Sequence, residues 1–248
     1  MVSFAAEPVV RLGFFSVTNA FLDTLLVDAF LIGLIVAVSK KMSRIPGFLQ
    51  NIIEITIQTF YELTKTIAGN NASKIFPFFM SFFLFILIAN WTGLIPGITV
   101  VGFYEEHKLV PFFRAATSDF NVTLALALIS AVATHIMSIT TIGIKDYIGR
   151  FISLNPIYLF VGLLEIVSEI TKVISLSFRL FGNIFAGEIV LGTVSTIFAF
   201  LFPLPFLMLE VVVGLVQALV FSMLTMAFMA ILTTPHHEEA KEVSTHGI

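Results

Sequence analysis

The sequence predicts an all-α membrane protein, a single polytopic membrane domain over residues 1–248, and three observations carry that prediction. The chain is 58% hydrophobic and only 12% charged, with a mean hydropathy of +1.02, a composition that a water-exposed domain could not sustain. Its apolar residues gather in runs of about twenty, long enough at ~1.5 Å per residue to cross roughly 30 Å of hydrocarbon. Inside these runs stand a few ionisable residues, above all Arg179. A guanidinium does not lose its proton, and at a bilayer centre it costs about 2.5–3.5 kcal/mol on insertion scales and roughly 10–17 in simulations of a lone helix. Such a charge needs a compensating partner.

The same composition excludes other classes. The chain has no cysteine, so disulfides, thiolate chemistry and cysteine-based zinc sites are out of reach, and neither a metal nor a cofactor is expected. A net charge of −3, scattered along the chain, offers no basic face for nucleic acid. Residues 1–17 lack a basic segment followed by an apolar core and a small-residue cleavage site. No removable signal peptide is therefore expected, and the first span would drive insertion.

About five transmembrane helices plus one surface amphipathic helix account for the chain, the last two helices being long and tilted. The first span is 18–38, closed by Lys40, Lys41 and Arg44. Asp23 and Asp28 fall inside it, near the outer end or facing a neighbouring subunit. Over 48–68, Asn51, Glu54, Gln58, Glu62 and Lys65 recur at intervals of three and four, while Ile52, Ile53, Ile57, Phe60 and Ile67 take other positions. That period predicts an amphipathic helix along the membrane surface. The second span, 75–95, is rich in phenylalanine, is broken only by Pro77 and Asn90, and places Trp91 where an interfacial aromatic belongs. Residues 97–118 carry Glu105, Glu106, His107, Lys108 and Arg114 and read as a solvated loop. Asp119 stands as N-cap of the third span, 120–142, with Asn121 and Thr123 behind it. His135, inside that span, reads as a structural histidine rather than a proton carrier.

Residues 156–202 are roughly twice the length of one span. Two crossings would require a turn signal near the middle, and none stands between Leu159 and Phe181. One long tilted helix is therefore predicted, closed by Pro203-Leu204-Pro205 and followed by a last helix over 206–233. Lys40, Lys41, Arg44, Lys65, Lys74, Lys145, Arg150 and Lys241 then fall on one side of the membrane, and Arg11, Lys108 and Arg114 on the other. The bias of basic residues toward the inside places the N-terminus outside and the C-terminus inside.

At about 100° per residue, Lys172, Ser175, Arg179, Gly182, Asn183 and Ala186 share one helix face. Its small residues allow close approach of another helix, and a carboxylate on that helix would offset the burial of Arg179. Glu188 is about 180° round and ~13 Å along the same helix, out of reach of Arg179. In the last helix Glu210, Gly214, Gln217 and Phe221 line one face. If the two long helices pack antiparallel, Glu188 and Glu210 lie at one depth, either as a proton relay or as protonated groups that hydrogen-bond the helices together. Glu165, Ser168, Glu169 and Lys172 form a second polar group, in which Glu169 and Lys172 either pair at i,i+3 or line a water-filled path. Arg179 sits between the two groups, the outline of two half-channels that do not connect.

The run Phe178-Arg179-Leu180-Phe181-Gly182-Asn183, with Ala186-Gly187-Glu188 after it, resembles the signature of subunit a of F-type ATP synthases. The resemblance extends to Pro77 through Pro96 with Asn90 inside, to Asp119-Phe120-Asn121-Val122-Thr123, and to Gln217. It implies a proton-translocating stator in an energy-transducing membrane, most simply a bacterial plasma (inner) membrane. It implies as partners a ring of c subunits, whose carboxylate Arg179 would face, together with peripheral-stalk b subunits and the lipid bilayer. It implies an outer proton path past Asp119, Asn90, Glu188 and Glu210 and an inner path past Glu165, Ser168 and Glu169, with Lys172, Asn183 and Gln217 in support. Bond chemistry would lie in other subunits. This chain has Val173 where many members have proline, and carboxylates at both 188 and 210 where many pair one carboxylate with histidine. A different class, a stand-alone secondary transporter binding a charged substrate at Arg179, would show an internal repeat, and none is visible. Copurification separates the two: a ring of small hairpin subunits or a monomer with a transport substrate.

Overall fold

The computed structural model describes residues 8–12, 15–41, 47–95, 102–105, 108–151, 156–197 and 203–234. Arg44, Pro96, Glu106, His107, Lys241 and residues 198–202 lie outside them. Seven α-helices build the described part: α1 Asn19–Lys41, α2 Phe48–Ala68, α3 Ala72–Thr92, α4 Phe120–Ile142, α5 Ile144–Phe151, α6 Pro156–Ile197 and α7 Pro203–Leu232. The fold is that of an all-α membrane protein. Four helical stretches are long and apolar enough to cross a membrane, Asn19–Lys40, Gln50–Thr92, Phe120–Ile142 and Pro203–Leu232. Helix α6 runs 42 residues without a reversal, about 63 Å at the usual rise. That is the single long helix the missing turn signal predicts.

Two short antiparallel hairpins were not foreseen. Strand β1 (Pro8–Leu12) pairs with β2 (Phe15–Thr18), and β3 (Gly102–Glu105) pairs with β4 (Lys108–Pro111). The second lies in the stretch expected to be a solvated loop. From Arg114 to Asp119 that stretch is buried, with a 3-10 turn over Ala116–Ser118 packed against the helices. Pro203 and Pro205 also differ from expectation, because they form the first turn of α7, where proline's missing N–H has no helical partner to lose.

Helix α3 packs on α7 through Phe82, Phe83, Ile86 and Leu87 against Ala218 and Phe221, with Ala127 of α4 and Leu176 and Leu180 of α6 completing the cluster. A second cluster joins Ile75 and Phe79 of α3 to Met137 of α4 and Met226 and Met229 of α7. Helix α2 returns against α3, with the Phe60 ring 5.5 Å from Phe79 and 5.0 Å from Phe83 between centroids, while Asn51, Glu54, Gln58, Glu62 and Lys65 remain exposed. Between apolar helices, polar side chains add adhesion. Ser130 Oγ and Thr225 Oγ1 lie 2.8 Å apart, and Ser138 donates to Leu232 O at 2.6 Å, fastening α4 to α7.

Candidate functional site

The arginine comes first. Leu176, Ser177, Leu180, Phe181 and Ile184 turn one face of α6 into the core, so the opposite face, with Ser175, Arg179, Gly182, Asn183 and Ala186, is left exposed. Among the described residues Arg179 makes one hydrogen bond, to Ser175 Oγ at 3.5 Å, which is too long to count as strong. No carboxylate among the described residues pairs with it. Beside it a cavity of about 400 Å³ opens between α6 and α7, lined by Ser168, Thr171, Lys172, Ser175 and Arg179 with Leu224 and Phe228 opposite. Next along the ridge, Asn183 Nδ2 donates to Gln217 Oε1 at 2.7 Å. Gln217 Nε2 is buried without a hydrogen-bond partner among the described residues.

The second centre gathers around Glu188. Its carboxylate accepts from Arg114, Nη2 at 3.1 Å and Nε at 3.3 Å. Counting Arg114 as a loop charge on the outer surface is therefore corrected: 8% of its side chain is exposed, and it enters the bundle because a carboxylate inside can compensate it. Glu210 is buried against Gly187, where a Cβ would collide with its carboxyl group. The packing of α6 on α7 sets Glu210 against Gly187, the residue before Glu188, so the two carboxylates are neighbours, one of them holding a guanidinium. Glu210 Oε1 has no hydrogen-bond partner among the described residues.

Asn90 and Asp119 serve the frame of this centre. Asn90 Nδ2 donates to Gly214 O at 2.9 Å and its Oδ1 accepts from Thr117 Oγ1 at 2.7 Å. Gly214 eases that approach, since a Cβ there would stand 3.2 Å from Asn90 Cβ, a tight contact. Asp119 caps α4, accepting from Asn121 N at 2.9 Å. Asp23, rather than facing a neighbouring subunit, is buried within the chain and accepts from Thr92 Oγ1 and Ala116 N, both at 2.9 Å. It ties α1 to α3 and to the turn behind Arg114. Sequence reasoning missed Arg114 and Asp23 as parts of one assembly. The available signal was an arginine standing between Phe112-Phe113 and Ala115-Ala116 five residues before a helix cap.

A third centre lies toward the start of α6. Glu165 is paired with Arg150 of α5, and Glu169 Oε1 accepts from Lys172 Nζ at 2.6 Å, so the i,i+3 alternative is the observed one. Lys172 Nζ also lies 4.6 Å over the Phe228 ring, a cation–π contact. His135 joins this group, with Nδ1 3.1 Å from Tyr147 Oη and Nε2 3.9 Å from Glu169 Oε2. Burial, then the Glu169 and Glu165 carboxylates, push the Tyr147 hydroxyl above its ordinary pKa. Ser168 stands apart from these pairs, in the cavity beside Arg179.

Long apolar helices that enclose polar centres, with a cation turned outward from the longest helix, define a polytopic membrane protein. Residues 21–230 match the family model described as ATP synthase A chain. Over 220 residues the sequence is 30% identical to ATP synthase subunit a of Moorella thermoacetica, covering 89% of this chain and 93% of the relative. The chain belongs to the ATP synthase A chain family. It is a membrane-sector subunit of an F-type ATP synthase, a multi-pass protein of an energy-transducing membrane in a complex with a c-ring.

Proposed function

We propose that this subunit is the proton-translocating stator, and that the exposed ridge Ser175–Arg179–Gly182–Asn183–Ala186 of α6 lies against the c-ring. The observation that carries this reading is Arg179: an arginine facing out of an apolar helix with no carboxylate beside it among the described residues is costly until a partner subunit supplies one. A ring carboxylate passing the ridge fits that need, and the small residues beside Arg179 permit close approach. Protons reach the ring from outside through the Glu188–Glu210 centre framed by Asn90, Asp119 and Arg114. They leave toward the inside past Glu165, Ser168 and Glu169, with Lys172 supporting that side. Asn183 and Gln217 hold α6 to α7 beside the arginine. Arg179 stabilises a deprotonated ring carboxylate and keeps the two paths apart, so protons pass only by turning the ring.

The reading includes an N-terminus outside, a C-terminus inside, a bacterial plasma membrane, and peripheral-stalk b subunits holding the chain against rotation. Because the chain has no native cysteine, cross-linking tests the ring-facing surface. Cysteines at Gly182 and Ser175 are expected to form disulfides with cysteines flanking the carboxylate of the ring subunit, while one at Val132, exposed on α4, is not. Cross-linking from Val132 and none from the ridge would overturn the assignment.

A further inference from the structure

His135 stands beside the inner path but takes no part in the two proton paths described above. Both carboxylates of the inner centre already have a cation as hydrogen-bond donor, Glu165 from Arg150 and Glu169 from Lys172. A proton arriving at either meets a carboxylate whose negative charge already faces a cation. The imidazole is placed differently. Three helices converge on it: α4 carries it, α5 brings Tyr147 Oη to 3.1 Å from Nδ1, and α6 brings Glu169 Oε2 to 3.9 Å from Nε2. The Tyr147 ring packs edge-on against it with centroids 6.0 Å apart. The other charged groups of the centre are Lys172 and the Arg150–Glu165 pair, and α7 contributes the Phe228 ring under Lys172. The His135 side chain, 29% exposed against 14% for Glu169, is the more open of the two.

Imidazole is the side chain whose charge changes near neutral pH, and its cation carries a proton on each nitrogen. Here each such proton has an oxygen to face, the phenol at Nδ1 and the second carboxylate oxygen of Glu169 at Nε2. We propose that His135 is a proton-exchanging site of the inner path, cycling between imidazole and an imidazolium held between Tyr147 and Glu169. In uptake an N–H bond forms as a hydronium O–H bond breaks, leaving water; release to water reverses the step. The proposal rests on the stator reading above.

Its test is proton pumping by the complete ATP synthase in proteoliposomes, measured as a ratio to wild type while the pH on the α5 side is varied between about 6 and 8. His135→Gln keeps a hydrogen-bonding group and removes the titration. Pumping is expected to fall severalfold, with a ratio that changes across the pH range, while the c-ring still copurifies. A ratio that stays constant with pH would overturn the proposal, because a purely structural histidine gives that result. Should His135→Gln fail to assemble, Tyr147→Phe retains the ring packing and removes only the hydroxyl; an unchanged pH profile there overturns the proposal equally. Coupled pumping by Arg179→Ala in the same assay would instead fail the stator reading, so the two failures are distinct.

Discussion

Arg114 and Glu188 show how one side chain changes the chemistry of a site. A carboxylate near Glu210 in low dielectric carries a like-charge conflict, and the guanidinium 3.1 Å from Glu188 relieves it. Removing one partner from a buried pair costs about 3–5 kcal/mol, whereas removing both is often nearly neutral. Arg114→Met is therefore expected to lower the yield and thermal stability of the assembled complex. Arg114→Met with Glu188→Gln should regain assembly without regaining proton pumping. Measuring both properties in the two variants checks this, and a double variant as unstable as the single one would mean that Arg114 acts through other contacts.

Among the elements, the seam between α3 and α7 positions the outer centre. Asn90 donates to Gly214 O and accepts from Thr117 Oγ1, and Trp91 Nε1 donates to Val211 O at 3.2 Å. Asn90→Leu has nearly the same volume but leaves the buried Thr117 hydroxyl without its acceptor, a cost of about 1–3 kcal/mol. The predicted result is a less heat-stable complex with slowed pumping, and the readout is its melting temperature beside its proton flux. Wild-type values for both would remove Asn90 from the frame. Helix positions were legible in the sequence where a strong pattern carried them: the apolar period of α4 over 120–142, the polar stripe of α2, and the absence of a breaker in α6. The burial of the Arg114–Asp119 stretch was not legible, because its charges resemble those of a solvated loop. Its partners Glu188 and Asp23 lie 74 and 93 residues away from the residues they hold, beyond any local pattern.

At the scale of the whole molecule, the division into an outward cation and polar centres on either side of it came from α6 alone. Helical spacing assigned Arg179 and Glu188 to opposite faces, and the fold keeps them there, one toward the exposed surface and one toward Arg114. Which side chains complete each centre required the packing of α1, α3, α5 and α7 around that helix, as with His135 and Tyr147, which share no sequence signature with Glu169. The central claim is that Arg179 couples proton passage to the ring. Its most direct measurement is ATP-driven proton pumping by the complete complex carrying Arg179→Ala, with copurification of the c-ring as the check on assembly. The predicted result is an assembled complex with coupled pumping abolished, and Arg179→Lys nearly as defective, since an ammonium lacks the planar fork and gives up its proton more readily when desolvated. Normal coupled pumping by the assembled Arg179→Ala complex would contradict the account.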